Sequence, residues 1–166
     1  MSKTMFASIL FVVALSITAC GCGNDEPEIP AQSETTNLSE GNNEATNESM
    51  KMNIIIGDKT MTATMEDNAA GRDFLSRLPL EVTLEDFNNI TEKIFYPTPA
   101  LDMTGVKRGC APAPGDITIY APWKNVAIFC KNWPYSNDLI KIGHIDGDGI
   151  DALRTTGDIK VKFEQQ

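Results

Sequence analysis

Residues 115–136 read GDITIYAPWKNVAIFCKNWPYS and hold both tryptophans of the chain and two of its three tyrosines. Two short apolar runs, 116–121 and 125–131, flank a Pro122-Trp123 pair. Apolar runs of this length around a turn are typical of a β-hairpin. The sequence therefore predicts a hairpin with large aromatic side chains gathered around its turn.

The two arms of this hairpin each have an apolar face. Ile119 precedes Tyr120 on the first arm, and Ile128 precedes Phe129 on the second. Because successive side chains of a strand point to opposite faces, Tyr120 and Phe129 are predicted to share a face opposite the isoleucines. Trp123, in the turn, is predicted to lie above them.

Working outward, the rest of residues 51–166 reads as short elements separated by turns. A short helix is predicted to begin after Asp67 or Asn68, with Phe74 on its apolar stripe, and to end at Pro79. Residues 97–115, rich in proline and glycine, are predicted to form a long loop. Further strands are predicted at 51–56, 60–65, 80–84, 92–95, 139–145 and 159–164, with one helical turn at 150–153. This pattern indicates an antiparallel barrel or sandwich.

Several segments together resemble the cyclophilin-like fold proteins of bacteria. These are Gly115-Asp116-Ile117 continuing to Tyr120-Ala121-Pro122-Trp123, Asp67-Asn68 with Arg72-Asp73-Phe74, Leu78-Pro79-Leu80, and Ile142-Gly143-His144-Ile145. They occur in the family's order and span nearly all of residues 51–166. The resemblance implies a mainly β fold: a closed antiparallel β-barrel of roughly eight strands with one short capping helix. It implies a shape more than an activity.

The N-terminal residues resemble a bacterial lipoprotein signal. Lys3 precedes an apolar run that is too short to span a membrane, and Leu15 to Cys20 resembles a lipobox. We expect residues 1–19 to be cleaved off and Cys20 to be acylated, so that membrane lipid is a partner of the protein. The expected location is the bacterial cell envelope, on its periplasmic or surface face. The alternative is an ordinary signal peptide with Cys20 merely nearby.

Residues 20–50 are predicted to be a disordered tether. Residues 21–50 hold seven acidic residues, no Lys or Arg and no aromatic residue, so they offer little apolar surface to bury. The remaining residues 51–166, with 13 basic and 16 acidic side chains, form one domain that we expect to be monomeric. The sequence of this domain has no basic patch of the kind that would indicate nucleic-acid binding.

Catalytic signatures are weak. Prolyl isomerisation needs a cationic donor near the amide, and the chain has no Phe-His-Arg segment of the kind found in true cyclophilins. His144 is the only histidine, and a structural hydrogen-bonding role is preferred for it over catalysis. We expect no cofactor and no catalytic residue.

Two further patterns concern a metal site and a disulfide. Asp146-Gly147-Asp148-Gly149-Ile150-Asp151 resembles part of a calcium loop, but the full spacing fails, and a Gly-rich turn is preferred to a metal site. Cys110 and Cys130 are the only cysteines in the predicted domain. A disulfide between them is an open alternative, since sequence cannot place their Cβ atoms.

The aromatic residues offer the best candidate site. Side chains of the hairpin and the following loop are predicted to line a cleft at the open end of the barrel, with one arginine from the helix: Arg72, Tyr120, Trp123, Phe129, Trp133 and Tyr135. Such a cleft suits a peptide or small apolar ligand, bound without catalysis by a membrane-anchored lipoprotein. The alternatives are that the aromatics plug the barrel end as core, or that the protein is a weak, divergent peptidyl-prolyl isomerase.

Overall fold

The computed structural model describes residues 50–166. The predicted signal peptide (1–19), the lipid attachment at Cys20 and all but the last residue of the predicted tether lie outside this range. That last residue, Met50, packs against the core, and its carbonyl accepts a hydrogen bond of 2.7 Å from the backbone N–H of Met65. None of the helices in the described part of the chain has the length and apolar character needed to cross a bilayer.

Within residues 50–166, eight strands form one closed antiparallel barrel, as the family resemblance implies. In chain order they are β1 (Lys51–Ile56), β2 (Lys59–Met65), β3 (Leu80–Phe87), β4 (Glu92–Phe95), β5 (Asp116–Tyr120), β6 (Asn125–Phe129), β7 (Leu139–Ile145) and β8 (Ile159–Gln165). The order around the barrel is β1-β2-β7-β5-β6-β4-β3-β8, and β8 pairs with β1 to close it. The described residues also contain one α-helix, α1 (Ala69–Ser76), and one 3-10 turn (Gly149–Leu153).

The helix begins where the sequence indicates but ends earlier than expected. The Asn68 side chain caps it by accepting a hydrogen bond of 2.9 Å from the backbone N–H of Gly71. α1 ends at Ser76, so Leu78 lies outside the helix although it still packs on the core. A residue that precedes proline is disfavoured in helical conformation, which explains why the last turn before Pro79 is not helical.

The barrel interior is a packed apolar core. Phe74 from α1 lies edge-on against Phe163, with ring centroids 5.4 Å apart, and also contacts Phe95 at 6.3 Å. From the hairpin of β5 and β6, the inward residues include Ile117 and Ile128, which are almost fully buried. The alternation read from the sequence therefore sorts the side chains of this hairpin correctly.

Strand β3 is three residues longer than the predicted strand. Residues 85–87 continue it by pairing with β4, where Glu85 lies opposite Ile94 and Phe87 lies opposite Glu92. The acidic pair Glu85-Asp86 hides this extension in the sequence, because acidic residues are depleted in strands. The extension brings Phe87 to the outer face of the barrel wall.

Candidate functional site

A second apolar cluster lies on the outer face of the barrel wall, separate from the interior core. Ala127 and Phe129 of β6 point outward into it, while the flanking Val126 and Ile128 point inward. Ile94 of β4 and Leu139 of β7 complete its buried part, and Phe87 and Tyr120 pack against it. Outward apolar residues on neighbouring strands thus create a surface that the barrel itself does not cover.

Above this cluster is a cavity of about 280 Å³. Its strand-borne walls come from β3 to β7: Phe87, Glu92, Ile94, Tyr120, Asn125, Phe129 and Leu139. Residues of the connecting loops form the remainder: Asn88, Trp123, Trp133 and Ser136. A cavity with mostly apolar and aromatic walls and a few polar groups is the usual setting for small-molecule or peptide-side-chain binding.

The aromatic walls are interlocked but only partly covered. Trp123 lies edge-to-face against Phe87, at a centroid distance of 5.9 Å, and against Tyr120, at 5.4 Å. Trp123 is nevertheless 52% exposed and Trp133 is 43% exposed, whereas Phe129 at the base is buried. Trp123 is therefore held by two aromatic neighbours, while much of the surface of both tryptophans remains open.

Two polar groups in the cavity wall lack partners. Glu92 sits between Phe87 and Phe129 on adjacent strands, and it makes no side-chain hydrogen bond or ion pair with any residue of the described range. Burial raises the pKa of its carboxyl group above the ordinary value. Asn125 is almost fully buried, and its Oδ1 has no hydrogen-bond partner among residues 50–166. Buried acceptors without donors are rare in folded proteins.

Four of the six candidate residues come together in this cavity: Tyr120, Trp123, Phe129 and Trp133. The position differs from expectation, because the cavity lies on the outer barrel wall rather than at the open end. The outward-facing side of β6, not its turn alone, supplies the base of the cavity. The prediction that Tyr120 and Phe129 share a face with Trp123 nearby is confirmed.

Arg72 and Tyr135, the other two candidates, do not line the cavity. Arg72 is exposed on α1 and pairs with Asp67. The Tyr135 hydroxyl donates to Asn137 Oδ1 at 3.1 Å, and the ring lies over Gly109, where an added Cβ would come within 2.1 Å of the hydroxyl. The structure does not bring these two residues to this cavity, because their positions depend on how the helix and the loop dock on the barrel.

Sequence reasoning missed most of the strand residues of the site, above all Phe87, Glu92 and Asn125. Phe87 fell beyond the predicted end of its strand. Glu92 was placed on the correct strand, but its neighbour β6 is more than 30 residues away in the chain, and nothing local indicates that pairing. The alternation in β4, which puts Glu92 and Ile94 on one face, was the one available signal.

His144 has a hydrogen-bonding role away from the cavity walls. Its Nδ1 lies 2.8 Å from Asp116 Oδ1, and Lys141 Nζ donates to the same oxygen at 2.7 Å. Burial opposes ionisation of Asp116, but the hydrogen bonds from Lys141, from the Ala113 backbone N–H and from His144 outweigh it and hold the Asp116 pKa below its ordinary value. The cluster links β5 to β7 electrostatically.

The two cysteines within residues 50–166 are both free thiols, so no bridge joins Cys110 to Cys130. Cys130 is buried, with its Sγ 3.8 Å from the Leu153 carbonyl, while Cys110 forms an isolated β-bridge with Ser136. Burial raises the pKa of both thiols, which makes them poor nucleophiles.

The acidic segment after β7 is a turn. Asp146 accepts hydrogen bonds of 2.9 Å from the hydroxyls of Thr62 and Thr64, which draws its carboxylate toward β2. Gly147 has a φ of 56°, in the left-handed region that glycine tolerates. Within residues 50–166, no group of three His, Cys, Asp or Glu side chains is arranged to hold a metal ion.

Comparison with known proteins agrees with this architecture. The model of a family described as the cyclophilin-like family matches residues 54–164. Among solved structures, the solution structure of the hypothetical protein AF2241 from Archaeoglobus fulgidus is similar, with a TM-score of 0.56 and 16% sequence identity over 72% of this chain and 96% of that chain. No curated protein sequence matches the chain significantly.

Proposed function

The chain belongs to the cyclophilin-like family, and from that premise we propose that it is a membrane-anchored binding protein without catalytic activity. Its barrel carries the outer cavity, which takes a peptide or a small apolar ligand. A lipid on Cys20 holds the protein at the bacterial cell envelope. The fold alone does not imply the activity, so the proposal depends on the site.

The open aromatic cavity is the observation that supports ligand binding. Both tryptophans of the chain line it, and each keeps two-fifths or more of its surface exposed although the barrel has a complete core elsewhere. Large aromatic side chains clustered in a partly open cavity provide apolar area at low entropic cost to a ligand. A surface cluster of this kind is typical of an interaction site.

The charge of the cavity supports binding rather than prolyl isomerisation. Weakening the resonance of a peptide bond, whose rotation barrier is about 18–20 kcal/mol, requires a positive donor near the amide. The cavity walls contain no Lys, Arg or His, and their ionisable groups are Glu92 and Tyr120. A carboxylate near the amide would not stabilise the transition state, in which the lone pair is localised on the amide nitrogen.

Ligand binding is testable through intrinsic fluorescence, because both tryptophans report on the same cavity. Titration of the full chain with short proline-containing peptides and small apolar compounds should shift the emission in a saturable way. Trp123→Ala should weaken binding at least tenfold, read through Trp133. Tyr96→Ala is the matched control, since Tyr96 is equally exposed at 52% but lies outside the cavity walls.

Three outcomes contradict the proposal. If no compound changes the emission, or if Tyr96→Ala weakens binding as much as Trp123→Ala, the cavity is not the binding site. If the wild-type chain instead accelerates proline-peptide isomerisation and Trp123→Ala abolishes that activity, the protein is a divergent isomerase.

Membrane anchoring has its own test. The wild-type protein should partition into detergent, and Cys20→Ser should leave it in the aqueous phase or as an uncleaved precursor. Cys22→Ser is the matched control, since this cysteine lies only two residues away. A wild-type protein that is correctly cleaved yet partitions into water would refute the lipid anchor.

A further inference from the structure

We propose that the ligand group entering the outer cavity is a protonated amine, held by the Glu92 carboxylate and the surrounding aromatic rings. This inference rests on the proposed function, because it names the chemistry of a ligand for the same cavity. It differs from that function in requiring a positive charge, which a merely apolar ligand would lack.

The first argument is the isolation of Glu92. Its carboxylate lies in an aromatic cavity between Phe87 and Phe129, without a hydrogen bond or an ion pair from the described residues. A half-buried carboxylate without a partner is costly, because burial removes water that would otherwise solvate the charge. A ligand cation is the group that would compensate this charge.

Three lysines lie close to cavity residues in the sequence, and none of them pairs with Glu92 within residues 50–166. Lys124, between Trp123 and Asn125, is exposed and forms no ion pair with Glu92. Lys93, the residue after Glu92, points into the barrel and donates to the carbonyls of Thr155 and Gly157. Lys131, just after β6, donates to the Asn89 carbonyl at 2.8 Å. Because none of these lysines forms an ion pair with Glu92, the negative charge of the cavity remains available to a ligand.

The second argument is the aromatic wall. Cations are attracted to the faces of Trp, Tyr and Phe rings within about 6 Å of the ring centroid. Trp123, Trp133 and Tyr120 line the cavity together with Glu92, so a cation beside the carboxylate also lies among aromatic rings. Carboxylate and aromatic rings in one cavity favour a cation over an anion, which Glu92 would repel.

The third argument is Asn125. Its Oδ1 is a buried acceptor in the cavity wall and lacks a donor among residues 50–166. An ammonium group carries N–H donors that can satisfy such an oxygen, whereas a quaternary nitrogen has none. The set of groups therefore favours a primary or secondary ammonium ion.

The test compares three probes of similar size against the full chain by tryptophan fluorescence: n-butylammonium, butyltrimethylammonium and uncharged 1-butanol. We expect n-butylammonium to bind at least tenfold more tightly than 1-butanol, with butyltrimethylammonium between them. Glu92→Gln should bring n-butylammonium to the level of 1-butanol. This variant removes an unpaired charge and keeps the side-chain shape, so it should fold.

Glu85→Gln is the matched control. Glu85 is exposed on the neighbouring strand opposite Ile94, so its replacement removes the same charge close by without changing the cavity wall. Binding of n-butylammonium to Glu85→Gln should stay within twofold of wild type. An equal loss in both variants would mean that general surface charge attracts the amine, and would overturn the proposal.

A protonated amine has two sources, a free small amine or a lysine side chain, and a fourth probe separates them. If N-acetyl-lysine methylamide binds at least tenfold more tightly than n-butylammonium, a peptide lysine is the ligand group; equal affinity indicates a free amine, and both results support the proposal. Butanol binding as tightly as the amine overturns this inference but leaves the proposed function intact. If neither charged nor apolar compounds bind, both fail.

Discussion

Glu92 and Lys93 are neighbours on β4, yet their charged groups lie in opposite environments. Lys93 points inward and is fully buried, and its Nζ donates to the carbonyls of Thr155 at 2.6 Å and Gly157 at 2.8 Å. The same nitrogen lies 3.4 Å from Asp86 Oδ1. Glu92 points outward into the cavity and has no partner in the described chain.

The difference shows which charged groups have partners within the described chain and which do not. A charge inside the barrel is tolerated because fixed acceptors surround it, since a buried ion without partners would destabilise the fold. The outer cavity keeps enough contact with water to tolerate an unpaired carboxylate and half-exposed tryptophans. The buried charge of the interior therefore has its partners within residues 50–166, whereas the cavity holds the Glu92 carboxylate without a partner in that range, and the proposed amine binding depends on this group.

Replacing Lys93 tests the interior side of this comparison and should have the largest effect. Lys93→Met keeps most of the side-chain length but removes the donor from two carbonyls and the cation beside Asp86. We expect a loss of about 3–5 kcal/mol in the free energy of unfolding, measured by urea denaturation.

Lys131→Met serves as its control, since Lys131 is exposed and makes a single bond to the Asn89 carbonyl. Its loss should cost less than about 1 kcal/mol. Similar losses for the two variants would mean that the buried network around Lys93 contributes no more than a surface contact.

Truncating an aromatic residue on each side sharpens the comparison. Trp123→Ala should lower the free energy of unfolding by less than about 2 kcal/mol, because the side chain is already half exposed. Phe163→Ala, inside the barrel and fully buried, should cost about 3–5 kcal/mol. A small soluble quencher should also reach Trp123 in the wild-type protein. A loss for Trp123→Ala as large as that for Phe163→Ala would place the tryptophan in the core.

The smallest effect is expected for Glu92→Gln, and its sign is opposite. Because the folded state raises the Glu92 pKa, folding binds the proton more tightly, and wild-type stability falls as the pH rises through the folded pKa. Glutamine avoids this loss. The Tm of the variant should equal that of wild type in acid and exceed it by up to about 3 °C at neutral pH. A lower Tm for the variant at neutral pH would show that Glu92 has a stabilising partner.

The elements of the fold were largely predictable because they depend on local sequence. Period-two alternation placed Tyr120 and Phe129 on one face, and residue types predicted a helix cap at Asp67 or Asn68, of which Asn68 is the cap in the structure. The resemblance of several motifs to one family added the closed barrel, which alternation alone left open against a sandwich. Patterns of this kind depend only on neighbouring residues, so they hold in any tertiary structure that keeps the strand or helix.

The site was only half predictable, because a cavity is made by residues that are distant in the chain. Tyr120, Trp123, Phe129 and Trp133 were found because they cluster in sequence. Arg72 does not line this cavity, since proximity to a helix start says nothing about which barrel surface the helix meets. Glu92 was overlooked because its importance depends on the strands beside it.

The sequence by itself determined the position of each strand, the start of the helix and the two faces of the hairpin, since these follow from backbone geometry over a few residues. Only the tertiary structure decided that β4 lies between β3 and β6, which puts Glu92 beside Phe87 and Phe129. The same pairing turns Lys93 toward the acceptors of residues 155 and 157. The physical reason is that strand order depends on the closure of the whole barrel, a property of long-range hydrogen bonding and core packing that no short segment encodes.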